Sequence, residues 1–284
     1  MDSRFRELDG FQGLLEGESV IQYTSSECLE RILHDFRTFL KDEKDGSLIF
    51  KDVPYNTYEQ LSNNKSSILF RSLKLYNDRT NVLRVKMVSR AHERAAARFT
   101  AAMAIKAEKM GVYEELTPEG SGEQTLGNFH KEPDGAWGPD DHPTCVLEVG
   151  LSEPGIELAM TAHGWIESPG SQISQAITIK ICSNRAEITF QKWETADRQY
   201  SATRAGRVRQ ARMTEEVLAA SDPNHGYTAS GSLHLSFSKL LERPPTPGTL
   251  EGDFIFTPHD LLVICTDVWR RQDFISPGAA AQTG

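Results

Sequence analysis

Asp134, Glu148 and Lys180 are the residues of this chain whose types and spacing could do chemistry. Asp134 follows Pro133, and Glu148 interrupts the apolar run Cys145-Val146-Leu147-Glu148-Val149. An unpaired carboxylate in such a run is expensive to bury, so a metal ion or a cation is expected beside it. Mg²⁺ takes oxygen ligands and keeps several waters. Two carboxylates and a backbone carbonyl, here that of Val149, could hold it (or Mn²⁺) against a phosphodiester. A nearby lysine would polarise the attacking water or stabilise charge developing on phosphorus. Lys180 suits that role, because it alternates with Thr178 and Ala176 while Ile177, Ile179 and Ile181 take the other face of a strand.

Plainer readings stand beside these. Glu148 could be an edge or salt-bridged carboxylate, and Asp134 could simply make the turn that Pro133-Asp134-Gly135 advertises. His92, His130, His142 and His163 flank the region and could shuttle a proton, although an isolated histidine is usually ordinary core or surface. Trp137 and Trp165 read as packing.

The elements that must position these residues follow from periodicity. Ser26 to Leu40 reads as an amphipathic helix capped by Ser25 or Ser26. A strand over "SLIFKDVPY" is interrupted at Pro54, and "NTYEQLSNN" is a short helix or turn. Two strands joined at Tyr76-Asn77-Asp78-Arg79 suggest a hairpin. A long alanine-rich helix runs from a Ser89 cap to Met110 and ends at Gly111. After the Glu148 strand, a helix from Glu153 to Glu167, with Ile156 among its packing residues, leads to strands near 174–182 and 186–193. This β–α–β order predicts a parallel pair. Farther on, Thr203 to Ala220 reads as a helix and "SLHLSFSKLL" as a strand. Segment 195–231 is expected to be partly mobile, and Thr257 or Pro258 opens a last helix.

The order "PD", "ExG" in an apolar strand, Ser152-Glu153, a helix ending in Trp165-Ile166 and a strand pair closing on "EITFQKW" resembles the PD-(D/E)XK endonuclease-like proteins of fungal genomes. The resemblance covers roughly residues 85 to 195. It implies an α/β fold with a restriction-endonuclease-like mixed central sheet flanked by helices. It also implies metal-dependent hydrolysis of DNA, with Asp134 at the "PD" position and Glu148 at the "(D/E)" position. A glutamate on the helix before the sheet often joins such acidic clusters, which makes Glu93 a candidate third carboxylate; the helix dipole would equally account for it. The lysine position holds Gly150. Either Lys180 has taken over by migration, or the site no longer cuts and the fold binds nucleic acid or a protein.

At 284 residues the chain suits one domain with additions. An N-terminal helix and strand elaboration would span 1–84, the nuclease-like core 85–195, a C-terminal elaboration 196–272, and a disordered tail 273–284. No apolar run approaches the ~20 residues of a membrane span. The start of the chain does not read as a signal peptide, so no membrane and an intracellular, nuclear or cytoplasmic, location are expected. The four cysteines form no CxxC pair or zinc pattern. A net charge of −9 argues mildly against nonspecific nucleic-acid binding. Two basic segments could nevertheless track phosphates on DNA. One runs from Arg84-Val85-Lys86 through Arg90, Arg94, Arg98, Lys106 and Lys109 and the other from Arg198 to Arg212, and solvated helix faces would account for both as well. Homodimer formation is left open.

Overall fold

The computed structural model describes residues 10–16, 20–118, 122–139, 142–152, 154–196, 209–222 and 226–275. In chain order the elements begin with α1 (Gly10–Leu14), β1 (Val20–Gln22), α2 (Ser26–Leu40), β2 (Gly46–Lys51) and α3 (Tyr55–Asn63). The hairpin strands β3 (Leu73–Asn77) and β4 (Val82–Met87) then lead into α4 (Arg90–Met110). Short strands β5 (Leu116–Pro118), β6 (Gln124–Leu126) and β7 (Phe129–Lys131) precede β8 (Gly135–Pro139), β9 (Cys145–Leu151), α5 (Gly155–Glu167) and β10 (Gln175–Ile181). The chain continues through β11 (Glu187–Ala196), β12 (Gln210–Asp222), β13 (Gly226–Ala229), β14 (Leu233–Leu235), α6 (Phe237–Leu240), β15 (Phe254–Phe256) and α7 (Pro258–Arg271).

The architecture is mixed α/β. One sheet has the order β1-β2-β4-β3-β7-β6, a second β13-β12-β11-β10-β9-β8-β5, and β14 pairs antiparallel with β15 in a third of two strands. β9 pairs parallel with β10 through the α5 crossover, as the β–α–β pattern predicts, and every residue of β9 is buried. Residues alternate between the two faces of this strand. Leu147 and Val149, with Ile177 and Ile179, join the core under α4 and α7. Val146 and Ala176 join a second core with Ala159, Ala162 and Trp165 of α5 and Phe11 of α1. α5 and α1 approach closely because Gly164 has no Cβ: one would stand 2.2 Å from the Phe11 ring. A third core, with Leu33, Phe50, Tyr58, Tyr76 and Val85, fills the space under α2 and α3.

Local signals set the helix ends. The Ser25 hydroxyl accepts the Cys28 N–H at α2, Ser89 accepts the His92 N–H at α4, and Gly111 ends α4 at φ 75°. Thr257 and Asp260 form a reciprocal capping box at α7.

Some expectations are overturned. The helix expected to reach Ala220 is instead the strand β12, paired antiparallel with β11; residues 203–208 lie outside the described residues. Ala, Glu and Arg favour a helix only weakly, by tenths of a kcal/mol each. A full ladder on β11 outweighs that, burying Ala211, Val217 and Ala219 at even spacing. "SLHLSFSKLL" holds a three-residue strand followed by the short helix α6. Ile156, expected to pack, is 52 % exposed. Glu153, residues 197–208 and the tail from 276, with the mobility and disorder expected of the last two, lie outside the described residues.

Candidate functional site

The site forms where the β8–β9 ladder ends. That ladder pairs Gly135 with Leu147, Ala136 with Val146 and Trp137 with Cys145, so it stops short of Val149. Backbone groups of a buried strand must still find partners. Asp134, just before β8, accepts the Val149 N–H at 2.6 Å, and Lys86 Nζ donates to the Val149 carbonyl at 2.8 Å. Asp45, ahead of β2, accepts the Leu151 N–H at 3.0 Å and the Ser89 N–H at 2.8 Å. Three charged side chains thus finish an edge that the neighbouring strand leaves open.

His92, in the first turn of α4, bridges two of them. Its Nδ1 lies 2.8 Å from Asp45 and its Nε2 2.8 Å from Asp134, and all three side chains are almost wholly buried. Burial opposes charge on the imidazole. The charge of Asp134 and the hydrogen bonds to both carboxylates overcome it and push His92 up to about 9. Burial likewise acts to raise Asp134 and Asp45, yet the imidazolium, Lys86 and the backbone N–H groups hold both below the ordinary aspartate range.

Glu148 points to the other side of β9, towards α5. Its Oε1 accepts the Trp165 indole N–H at 2.5 Å and the Lys131 ammonium at 2.8 Å, and Lys131 also lies 5.3 Å over the Trp165 ring. Burial pushes the Glu148 carboxyl up, and the charge of Asp134 adds to this while Lys131 opposes it. Trp165, read as packing, is core and also the hydrogen-bond donor to this carboxylate.

Asp134, Glu148 and the Val149 carbonyl therefore gather at one strand. Lys180 does not join them. It is exposed, in register with Gly150, with its amine beside Gly155 at the start of α5, and among the described residues it pairs with neither carboxylate. Glu93 is also displaced. It is exposed one residue past His92, and the 100° step of the helix turns it away from the buried pair. Of the amines that do reach the site, Lys86 is read from sequence only as part of a basic segment that could track phosphates, and neither Lys131 nor Asp45 is singled out. The signal for Lys86 was present: Arg84 and Lys86 alternate with buried Leu83, Val85 and Met87 along β4.

The ligands expected for Mg²⁺ are already engaged. Both Asp134 oxygens hold protein donors, Glu148 Oε1 holds two, and the Val149 carbonyl accepts Lys86. Among the described residues no group of three or more His, Cys, Asp or Glu side chains is arranged to hold a metal ion. As arranged, these residues do not fit the divalent cation that the resemblance implies.

Three of the expected phosphate-tracking arginines, Arg94, Arg98 and Arg209, are also occupied. Arg94 and Arg98 both pair with Asp267 of α7, at 3.5 and 2.5 Å. Arg90 is exposed at the start of α4. Of the second basic segment, residues 198–207 lie outside the described residues, and Arg209 donates to the carbonyls of Ser171 and Ile173.

Beside Glu148 lies a small open cleft, with a cavity volume of roughly 40 Å³, between β3, β4, α1 and α5. Lys74, Arg84, Lys86 and Lys131 line it, with Glu148 and Glu157 as its carboxylates. No described helix is long and apolar enough to cross a membrane. Compared with protein-family models, curated proteins and solved structures, the chain matches none.

Proposed function

We propose that this protein is a noncatalytic binding module of the restriction-endonuclease-like class, taking a phosphate-bearing ligand in the cleft beside Glu148. The observation that carries the reading is the Lys86 ammonium, 2.8 Å from the Val149 carbonyl, where a hydrolase of the resembled class would need its metal. A fixed internal cation neutralises the neighbouring carboxylates but cannot coordinate and ionise a water as Mg²⁺ does. His92 and Lys131 balance Asp134 and Glu148 in the same way. What remains open to a ligand is a cleft lined by four cationic side chains, three of which (Lys74, Arg84 and Lys131) already face a carboxylate, Glu132, Glu157 and Glu148 respectively.

The second reading is metal-dependent hydrolysis of DNA by Asp134 and Glu148. The observation favouring it is their proximity, since the charge of Asp134 contributes to the raised Glu148 carboxyl. It requires Lys86 and His92 to leave their present partners. Titration calorimetry with MgCl₂ and MnCl₂, run beside plasmid and single-stranded DNA cleavage, separates the two. The binding module gives no metal binding at millimolar concentration and no cutting. Metal-dependent cutting that disappears in Asp134→Ala and Glu148→Ala would refute it and establish the hydrolase.

A further inference from the structure

We infer that the surface around Tyr55, Asp78 and His130 binds a primary alkylammonium group, carried by a free amine or by a lysine side chain of a basic partner. In the antiparallel pairing of β3 with β7, Tyr76 lies opposite His130 and the next pair is Leu75 with Lys131, so the two pairs take opposite faces. On the Tyr76 face four rings gather. Tyr58 and Tyr76 stack with centroids 4.4 Å apart, and Tyr55 lies 5.4 Å from the His130 ring, 6.0 Å from Tyr76 and 6.2 Å from Tyr58. Tyr55 is the exposed member, at 39 %, while Tyr58, Tyr76 and His130 are buried. Carboxylates surround the exposed ring. Burial, and then the charges of Glu59, Glu123 and Asp78, raise the Tyr55 hydroxyl above its ordinary value. Among the described residues Asp78 and Glu123 form ion pairs with no lysine or arginine, and Lys74 and Lys131 are committed to Glu132 and Glu148.

His130 points independently to a ligand. Its Nδ1 lies 3.2 Å from Thr125 Oγ1 and 3.4 Å from Glu123 Oε1, and the Tyr58 hydroxyl donates to the other oxygen of Glu123 and fixes it. An ionised carboxylate only accepts, which assigns the ring proton to Nδ1 and leaves Nε2 as an acceptor. Nε2 is buried and has no hydrogen-bond partner. A buried acceptor without a donor is costly, so the group that completes the site is a donor. Asp78 Oδ2 stands 3.7 Å from Nε2, too far for a hydrogen bond, and its side chain is 40 % exposed. Two acceptors at that separation can share one donor atom lying about 2.9 Å from each. An ammonium nitrogen offers several donors from a single point, neutralises Asp78, and comes within cation–π range of the Tyr55 ring. A guanidinium suits the site less, because its planar fork is shaped for the paired oxygens of one carboxylate. Asp78, the exposed acceptor of the pair, is where the cation enters.

The test titrates the full chain with n-butylammonium, a free amine, and with Nα-acetyl-lysine amide, a peptidyl side chain, at neutral pH and matched ionic strength. Two comparators divide the chemistry: n-butyltrimethylammonium keeps the charge and loses the donors, and n-butanol keeps a donor and loses the charge. At least one primary ammonium is expected to bind about fivefold tighter or better than both comparators, in keeping with charge-assisted hydrogen bonds. Asp78→Asn should weaken that binding about fivefold and Tyr55→Leu about threefold. Asp78 is partly exposed and its printed partner is His130 alone, so the variant should keep the wild-type melting temperature. Glu93→Gln, on α4, should change nothing. The imidazole ¹⁵N spectrum supplies a direct readout: the His130 Nε2 signal should move on adding the ammonium and stay in place with n-butanol. Binding of one primary ammonium or of both supports the inference and shows whether free amines, lysine side chains or both are accepted. Equal binding of either comparator, binding unchanged by Asp78→Asn, an unmoved Nε2 signal, or no binding of either primary ammonium at millimolar concentration would overturn it.

Discussion

Replacing His92 by Gln should abolish a specific pH dependence of stability. The imidazole sits between two buried carboxylates and titrates at about 9, against an ordinary value of about 6.5. Because the folded-state value is raised, the stabilisation is fully present below about pH 6.5 and is lost as pH rises through about 9. At 1.36 kcal/mol per unit, that displacement is worth about 3 kcal/mol. Removing the cation below pH 6.5 also leaves Asp45 and Asp134 facing each other without compensation, a loss of about 3–5 kcal/mol for a broken buried pair. Urea unfolding of the wild type and His92→Gln, followed by tryptophan fluorescence from about pH 6 to about pH 10, measures the difference directly and cancels titrations common to both. The gap should be largest at the acid end and shrink by about 3 kcal/mol towards the alkaline end. A gap that stays constant over this range would refute the reasoning, since it would mean that His92 is uncharged in the fold.

Two further outcomes follow from packing and pairing. Gly164→Ala places a methyl 2.2 Å from the Phe11 ring and should destabilise by about 1–3 kcal/mol in urea unfolding, whereas Gly231→Ala, with no atom within 4 Å of the new Cβ, should be close to neutral. Lys131→Met leaves Glu148 buried without its cation and should cost about 3–5 kcal/mol, while the double variant Lys131→Met/Glu148→Gln should recover much of that loss; a strictly additive pair would show that the two side chains are not coupled.

The elements around the site were legible where the signal is local. The Ser25, Ser89 and Thr257 caps, the Gly111 stop and the hairpin of β3 and β4 all appear where short-range patterns put them, because a cap or a turn is decided by residues within one turn of chain. The parallel pairing of β9 with β10 was legible as well, since an α5-length crossover admits little else. β12 was misread because its Ala, Glu and Arg content speaks only for local preference, and the ladder that overrides it lies on β11.

The sequence alone determined that Glu148 needed a compensating partner, since a carboxylate inside an apolar strand is costly whatever surrounds it. Which partner it received was a tertiary decision. Lys131 lies 17 positions from Glu148, on a different sheet, and Trp165 lies a further helix away. Asp134 likewise found His92, 42 positions back in the chain, and Asp45 found Leu151 across 106. Contacts of that span arise only after the sheets and helices have docked. Lys180 stands on β10 and turns towards Gly155, whereas Lys86, on the other sheet, reaches the Val149 carbonyl. The physical reason is the early end of the β8–β9 ladder: it leaves backbone groups that must be satisfied, and the packed fold brings charged side chains from distant segments to satisfy them.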